Sequence, residues 1–181
     1  MNGVQAMIFG SRALMLASLM GLASITRAEE SPVSKYTSTE REKSVSFRDV
    51  RSEPGGGFEG VFSGLGGYQL IHLAGDDRSW INVRHGNETI DLYAATMEWG
   101  PGSFPHKAND VVEWRGLEKD GRFEPYAIIY RIAGSDETGR VTKTRLVVIK
   151  LDKERSAIIG YTEGENEDAA AKLLADIAGP R

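Results

Sequence analysis

A regular alternation of apolar and polar residues runs through most of the chain after residue 67 and limits the folds it can adopt. A period of two places apolar side chains on one face of an extended strand, whereas a helix requires a period near 3.6. The alternating runs are short, rich in β-branched and aromatic residues, and separated by turn residues. They predict strands at residues 68–74, 79–84, 110–117, 123–133, 141–151 and 156–162.

Two of the intervals between these strands are short enough to be hairpin turns. Asp76 and Asp77 lie between the first two strands, and Asp120 and Gly121 lie between the third and the fourth. Aspartate and glycine tolerate the left-handed backbone conformation that tight hairpins need. The sequence therefore predicts that these neighbouring strands pair in antiparallel fashion.

The end of the chain has a helical pattern. Asn166 can cap this helix, and the two acidic residues after it suit the positive end of the helix dipole. Gly179 and Pro180 are typical of a helix end. The apolar stripe, which we expect to lie on one face of the sheet, consists of Ala170, Leu173, Leu174 and Ile177. We therefore predict an α+β fold, with a mainly antiparallel sheet of about five to seven strands and one C-terminal helix packed on it.

The beginning of the chain has the layout of a secretory signal peptide. An apolar segment at 13–25 follows a basic, acid-free start. This segment is shorter than the roughly 20 apolar residues that a membrane-spanning helix needs. Thr26 and Ala28 supply small residues for cleavage after residue 28, and an earlier cut near Ala23 stays open. We predict a signal peptide at 1–28, no integral membrane span after its removal, and a periplasmic or secreted location in a bacterium.

The stretch at 29–57 is rich in charge, Ser, Thr and Gly and poor in large apolar residues. This composition predicts a flexible N-terminal tether, in which residues 44–50 alternate and could add an edge strand. Residues 58–181 are predicted to form a single α+β domain. The Gly-rich segment at 55–67 leads into a strand, whereas a nucleotide-binding loop would lead into a helix, so it predicts turns instead.

The charge and the cysteine content exclude several classes of function. The chain has 22 Lys and Arg against 26 Asp and Glu, and the net charge of −4 argues against binding to nucleic acid or to an acidic membrane. It has no cysteine, which excludes disulfide scaffolds, thiolate metal sites and cysteine nucleophiles. No cofactor is predicted.

Four further features occur together: the sequence GLGGY at 64–68, the predicted strand pair through Trp80, the sequence DVVEWR at 110–115, and a late strand followed by a capped Ala- and Leu-rich helix. In these the chain resembles a family of small exported proteins of unknown function from alphaproteobacteria, notably rhizobia, over about residues 55–177. The resemblance implies a shared fold and an exported location, but no activity. Members of the family have one cysteine before the Gly-Gly-Tyr motif and another in the late strand. Here Ser63 occupies the first position and the second falls near Ala157, so the resemblance argues against a thiol mechanism.

Residues that could carry catalysis or bind a metal are few and scattered. His72, His85 and His106 could hold a metal ion only if they converged, and their spacing does not predict convergence. The chain lacks the Gly-x-Ser-x-Gly sequence of a serine nucleophile elbow. We predict no metal ligands and no catalytic residues.

The segment at 94–107 is the strongest candidate for recognition. Its prolines and glycines predict a long loop, yet Trp99 and Phe104 make it too apolar for a purely solvated connection. These two rings either fold back as a lid over one end of the sheet or form an exposed binding surface. The candidate binding residues are Asp76, Asp77, Trp99, Phe104 and His106.

Two functions remain open at this point. The favoured one is a non-catalytic envelope domain that binds an envelope protein, a peptide or a glycan, because no coherent catalytic set is present. The alternative is a small hydrolase that acts on cell-envelope polymer with a pair of carboxyl groups as acid and base. It requires two of four acids to share one pocket: Asp76, Asp77, Glu113 and Glu124.

Overall fold

The computed structural model describes residues 31–52, 54–101 and 106–180. The predicted signal peptide and Phe104 lie outside the described residues. The described part forms two helices, α1 (Tyr93–Trp99) and α2 (Glu167–Ala178), and a 3-10 turn at Arg41–Lys43. None of its helices is long and apolar enough to cross a membrane. Its strands are β1 (Val33–Ser38), β2 (Ser44–Asp49), β3 (Gly57–Ser63), β4 (Tyr68–Gly75), β5 (Arg78–His85), β6 (Glu88–Ile90), β7 (His106–Lys119), β8 (Arg122–Ser135), β9 (Val141–Lys150) and β10 (Ala157–Thr162).

All of these strands belong to one sheet. Its main path runs β10-β9-β8-β7-β5-β4-β3-β2, while β1 pairs with β7 and β6 pairs with β5. Every pairing is antiparallel except the short contact between β5 and β7, where Arg78 lies opposite His106. The predicted α+β architecture with a mostly antiparallel sheet and a C-terminal helix is confirmed. The described sheet has 10 strands, which is more than predicted, and α1 is an additional helix.

Both predicted hairpins are present. Asp76 and Asp77 connect β4 to β5 with φ values of 50° and 57°, and Asp120 and Gly121 connect β7 to β8 with φ values of 50° and 73°. Two consecutive positive φ values define the type I′ turn, whose twist matches that of the flanking strands. The short Asp and Gly turns therefore determine the register of both hairpins.

The structure differs from the predicted flexible tether at 29–57, because two strands of the sheet lie within it. Val33–Ser38 pairs residue by residue with the middle of β7, and Ser44–Asp49 pairs with β3 at the end of the main path. The second of these is the predicted edge strand. Sheet pairing is made by backbone groups, so a mostly polar strand can be held in place without the regular apolar alternation that would reveal it in the sequence.

One face of the sheet encloses a common interior. All the described strands belong to a single sheet, so this face can be buried only if the sheet bends around it. In agreement, α1 contacts both β5 and β10, which are distant in the strand order. Tyr68 in β4 shows the effect of this enclosure: burial raises the pKa of its hydroxyl group, and the charge of Asp152 beyond β9 raises that pKa further. The largest fully buried side chains are Trp114, Tyr130, Phe62, Leu70, Ile81, Ile128, Ile132 and Ile149.

The predicted loop at 94–107 is wrong over its first part. Tyr93–Trp99 forms α1, and β7 already begins at His106. The glycines and prolines that suggested an irregular segment follow Trp99 and therefore do not interrupt the helix. The helical residues themselves include Ala, Met and Glu, which favour helix formation.

Helix α2 packs on the opposite, outer face of β8 and β9, but not through the predicted stripe. Ala171 and Ala175 are fully buried there, whereas Leu173 and Ile177 are 62 % and 63 % exposed. Of the predicted stripe, Leu174 alone packs against this cluster. Alanine side chains allow the helix to approach the sheet closely. The close fit between helix and sheet, rather than the size of the apolar side chains, therefore determines which face of α2 is buried.

The N-terminus of α2 also differs from the expectation. Asn166 occupies the capping position with a φ of 65°, but its side chain makes no capping hydrogen bond. Instead its backbone oxygen accepts the N–H of Ala170 at 3.1 Å. Asn166 therefore supports the helix start through its left-handed backbone conformation, which asparagine tolerates.

Replacing Leu173 with lysine is expected to change the free energy of unfolding by less than about 0.5 kcal/mol, because the side chain is exposed. Replacing Ala171 with leucine is expected to destabilise the protein by about 1–3 kcal/mol through overpacking. Urea denaturation of the two variants measures both values. If the lysine variant were the less stable of the two, the orientation of α2 described above would be wrong.

Candidate ligand-binding cleft

A cleft opens at the end of the bent sheet where the turn between β4 and β5 meets the start of β7. The inward side chains become smaller towards this end, from Leu70 through His72 to Ala74 in β4, and from Ile81 to Ser79 in β5. Large side chains fill the interior further along, so the small ones leave an open volume of about 490 Å³. The taper of side-chain size along the strands therefore creates the cleft.

The turn aspartates and His106 come close to this cleft. Asp77 lines it, whereas Asp76 forms an ion pair with Arg78 at 2.7 Å. The N–H of His106 donates to the backbone oxygen of Asp77 at 3.2 Å. Of the predicted binding residues within the described part of the chain, Asp77 alone is a lining residue.

His72 is the most unusual group in the cleft. It is only 3 % exposed, its Nδ1 lies 3.0 Å from the Thr39 hydroxyl, and the ring of Phe58 meets it edge-on with centroids 5.0 Å apart. Its Nε2 has no hydrogen-bond partner among the described residues. Burial lowers the pKa of His72 to about 4, so the ring is neutral at pH 7. The cleft thus contains a neutral imidazole with one unused nitrogen.

Asp110 is the acidic neighbour of His72. One of its carboxylate oxygens lies 4.0 Å from Nδ1 of the ring. Burial raises the pKa of Asp110, and the charge of Glu40 raises it further, while a hydrogen bond from Thr39 opposes the shift. Burial is the main cause of this shift, and an anion placed directly beside the Asp110 carboxylate would be repelled.

Charged side chains of both signs surround the opening. Lys107 and Arg78 line it together with Asp77, and Arg51 lines it while paired with Asp49. The double hydrogen bond from Arg51 lowers the pKa of Asp49 to about 2. The opening is therefore close to charge balance.

A second, smaller depression of about 240 Å³ adjoins the cleft. The two share Arg51, Gly57 and Phe58 as lining residues. The smaller one is bounded on its far side by Phe47, whose ring stacks on Phe58 with centroids 5.3 Å apart. The two depressions therefore lie side by side, and we refer to them together as the groove.

The four acids of the hydrolase alternative do not share this groove. Glu113 is buried where β1 packs beside α2, with the Ser34 hydroxyl bonded to it and Lys172 at 3.7 Å. Glu124 pairs with Lys119 beside the β7–β8 turn. Because only Asp77 of the four lines the cleft, these residues do not supply the acid and base pair that the alternative requires.

The other two histidines lie apart from His72. His85 contacts the ring of Tyr68 with centroids 4.8 Å apart, and Nε2 of His106 lies 3.2 Å from the sulfur of Met97. Within residues 31–52, 54–101 and 106–180, no three His, Asp or Glu side chains are grouped to hold a metal ion. The three histidines therefore do not form a common site in the described part of the chain.

Stability is expected to fall by about 3 kcal/mol between pH 7 and pH 4 because of His72. Its pKa in the folded state is about 4, below the unfolded value near 6.5. The unfolded chain therefore binds the proton first as the pH falls through this window, and folding loses stability. Urea denaturation at both pH values measures the change. The His72→Gln variant should lose about 3 kcal/mol less than the native chain over the same window, and equal losses would contradict the assignment.

Trp99 ends α1 and packs against the interior, with its ring centroid 6.0 Å from that of Tyr161. This contact favours the interpretation in which the Trp99 ring folds back over one end of the sheet. Replacing Trp99 with alanine is expected to lower the melting temperature. The loss in free energy of unfolding should be below the about 3–5 kcal/mol of a fully buried aromatic, because the ring is half-buried. Trp99→Phe should recover most of the loss. An unchanged melting temperature in the alanine variant would favour an exposed recognition surface instead.

The sequence contained one signal for the cleft that periodicity alone did not use. His72 stands at an inward position of an otherwise apolar strand, between Leu70 and Ala74. A polar residue on a buried face needs a hydrogen-bond partner. A histidine at this position therefore indicates a polar site within the otherwise apolar interior. Thr39 and Asp110 are far from it in sequence and could not be assigned to it without the strand register.

Comparison of the chain with protein-family models, with curated proteins and with solved structures finds no match in any of the three, so the resemblance to small exported alphaproteobacterial proteins stays a prediction.

Proposed function

We propose that this protein is an exported, non-catalytic binding protein that holds a ligand in the cleft beside His72. The observation that supports the proposal most strongly is the buried Nε2 of His72. Among the described residues it is one of five buried side-chain atoms without a hydrogen-bond partner, and His72 alone of these five residues lines the cleft. The large majority of buried side-chain polar atoms in folded proteins are hydrogen-bonded, and an exception requires an explanation. A ligand atom in the cleft is the explanation that we adopt.

The shape of the cleft supports the same proposal. Its volume of about 490 Å³ lies within the range of about 300–1,000 Å³ for small-molecule sites. Open ends of bent β-sheets are frequent ligand sites, since the sheet supplies rigid walls and the loops supply the rim. Because the walls are already formed, the protein loses less conformational entropy when a ligand binds.

The N-terminal sequence supports export. The apolar segment at 13–25 and the small residues before Glu29 are typical of a cleaved signal peptide. Export would place the cleft in the periplasm or outside a bacterial cell, where it would meet envelope components. The absence of cysteine in the sequence is compatible with an oxidising compartment.

Nuclear magnetic resonance with a library of small polar fragments tests the cleft. Fragments are expected to shift the imidazole nitrogen signals of His72 together with the amide signals of Ala74 and Ser79. Replacing Ala74 with phenylalanine fills the cleft and should abolish these shifts. Ala169→Phe, at an exposed position of α2, makes the same change elsewhere and should leave them intact.

Two results would overturn the proposal. One is a library in which no fragment shifts the His72 signals, because an ordered water would then suffice to satisfy Nε2. The other is unchanged binding in the Ala74→Phe variant. Melting temperatures of both variants confirm that each one is folded before its spectra are compared.

A further inference from the structure

We propose that the ligand is a neutral oligosaccharide of at least two sugar units, one in the cleft beside His72 and one in the adjoining depression beside Phe47. This inference rests on the proposed binding function and specifies the ligand class. Three observations carry it: the adjacency of the two depressions, the mixture of charges along them, and the aromatic wall that they share.

The adjacency of the two depressions favours an extended ligand. The two depressions share Arg51, Gly57 and Phe58. A Cβ atom at Gly57 would lie 1.8 Å from the backbone oxygen of Ala74, so this position requires glycine and no side chain projects from it into the groove. A single compact molecule would occupy one depression, whereas a chain of two or more units can occupy both.

The charges along the groove favour a neutral ligand. The cationic lining residues are Arg41, Arg51, Arg78 and Lys107, and the acidic ones are Asp49, Asp77 and Asp110. Several of them are already paired, as Arg51 is with Asp49 and Arg78 is with Asp76. An anionic ligand would approach Asp110 and its acidic neighbours, and a cationic ligand would approach the arginines. Neither charge is favoured along the whole groove.

Sugar hydroxyl groups suit such a mixture. Each hydroxyl donates one hydrogen bond and accepts up to two, so it can bind a carboxylate and a cation at the same time. The cleft floor adds two more polar groups. The Ser79 oxygen accepts the N–H of Ala108 at 2.8 Å, which leaves its hydrogen to be donated, and Nε2 of His72 is unused.

Phe58 supplies the apolar contact for a sugar ring, because the faces of Phe47 are covered by Phe58 and by the guanidinium of Arg41, which lies 4.5 Å from the Phe47 ring centroid. The two phenylalanine rings stack with an interplanar angle of 22°, and the half-buried Phe58 forms a wall common to both depressions. The C–H faces of a pyranose ring are apolar and pack against aromatic side chains. A ligand with polar edges and apolar faces therefore fits this groove better than a uniformly polar one.

The groove is less suited to an extended peptide. Peptides that bind sheets usually add a strand to a free edge and pair through backbone groups. Here much of the cleft floor consists of side chains from β3, β4 and β5, whose backbone groups already pair with one another, and β7 supplies the rest. Recognition by the β3–β5 part of the cleft must therefore be made by side chains.

Calorimetric titration of the full chain with neutral disaccharides tests the inference. The probes are maltose, cellobiose, N,N′-diacetylchitobiose and mannobiose, each compared with its monosaccharide. At least one disaccharide is expected to bind tenfold or more tightly than its monosaccharide, because only the disaccharide occupies both depressions. Gluconate, glucosamine and trialanine serve as anionic, cationic and peptide probes and should bind at least tenfold more weakly.

Two variants locate the binding site. Asp77→Asn, at a turn position that asparagine tolerates, and Phe58→Ala should each weaken the disaccharide at least fivefold. Glu124→Gln removes a carboxylate at the β7–β8 hairpin and should leave the affinity unchanged. Tighter binding of trialanine, gluconate or glucosamine, or no disaccharide binding at all, would overturn the inference. If fragments still shifted the His72 signals in those cases, the proposed binding function would stand and only the ligand class would be wrong.

Discussion

Replacing Trp114 with alanine is expected to lower the free energy of unfolding by about 3–5 kcal/mol, the usual cost of truncating a fully buried aromatic side chain. Trp114 is among the largest fully buried residues of the interior. Its Nε1 also donates to the Thr37 hydroxyl of β1 at 2.8 Å. The substitution therefore leaves a large cavity and removes a side-chain contact that holds β1 on β7. Urea denaturation followed by circular dichroism measures the loss.

The Trp114→Phe variant separates these two effects. It keeps most of the aromatic volume but removes the N–H donor, so the loss of stability should be well below that of the alanine variant. Hydrogen exchange should then accelerate in β1 while the β4–β5 hairpin keeps its protection. A loss below about 1 kcal/mol for Trp114→Ala would contradict the burial described above.

Replacing Asp176 with alanine is expected to destabilise the protein by about 3 kcal/mol, because it leaves a buried guanidinium without its carboxylate. Arg115 donates to the two carboxylate oxygens of Asp176 at 3.0 and 2.7 Å, and Tyr126 donates to one of them at 2.6 Å. The Arg115 side chain is only 10 % exposed. This cluster fixes α2 on the sheet, so the variant should also loosen the helix. Urea denaturation measures the loss of stability, and hydrogen exchange across α2 measures the loosening.

Two further variants test the interpretation of this ion pair. Glu118→Ala breaks the exposed pair between Glu118 and Lys35 and should cost no more than about 1 kcal/mol. In the double variant Arg115→Met with Asp176→Ala the buried charge is gone, so much of the lost stability should return. If Asp176→Ala and Glu118→Ala cost the same, the buried pair would not be what holds α2.

The hairpins could be predicted from the sequence because their signals are local. Asp76 with Asp77 and Asp120 with Gly121 combine short turn length with residues that tolerate positive φ, and the flanking strands alternate clearly. Strand β1 could not be predicted in this way. Its residues are held by backbone pairing and by contacts with β7, and neither is visible in its own composition.

The helices show a similar limit. The stripe of Leu173 and Ile177 is more apolar than the alanine face, and a pattern based on hydrophobicity selects it. The buried face is determined instead by the close fit of Ala171 and Ala175 and by the ion pair of Asp176 with Arg115. Orientation therefore depends on partners in the sheet that the helix sequence does not contain.

The candidate site could be predicted only in part. Asp77 could be predicted as a candidate binding residue because it lies in a recognisable turn. His72 stands out as a polar residue in an apolar strand. Ser79 follows Asp77 by two positions, but Phe58 and Asp110 belong to strands further away in the sequence and meet these residues only because the strand order and register place them at one end of the sheet. A pattern within one strand carries no information about which distant strand will lie beside it.

The pairing of β1 with β7 has a consequence for the order in which the chain can fold. Thr37 and Trp114 are 77 positions apart, so β1 cannot pair with β7 until the middle of the chain has been synthesised. Long-range pairings of this kind slow folding, because the entropy of a large loop is lost before the contact forms. The hairpins β4–β5 and β7–β8 are local and can form early. We therefore expect β1 to be the last strand to acquire protection during refolding, and a chaperone that binds the emerging chain would find Val33–Ser38 still unpaired.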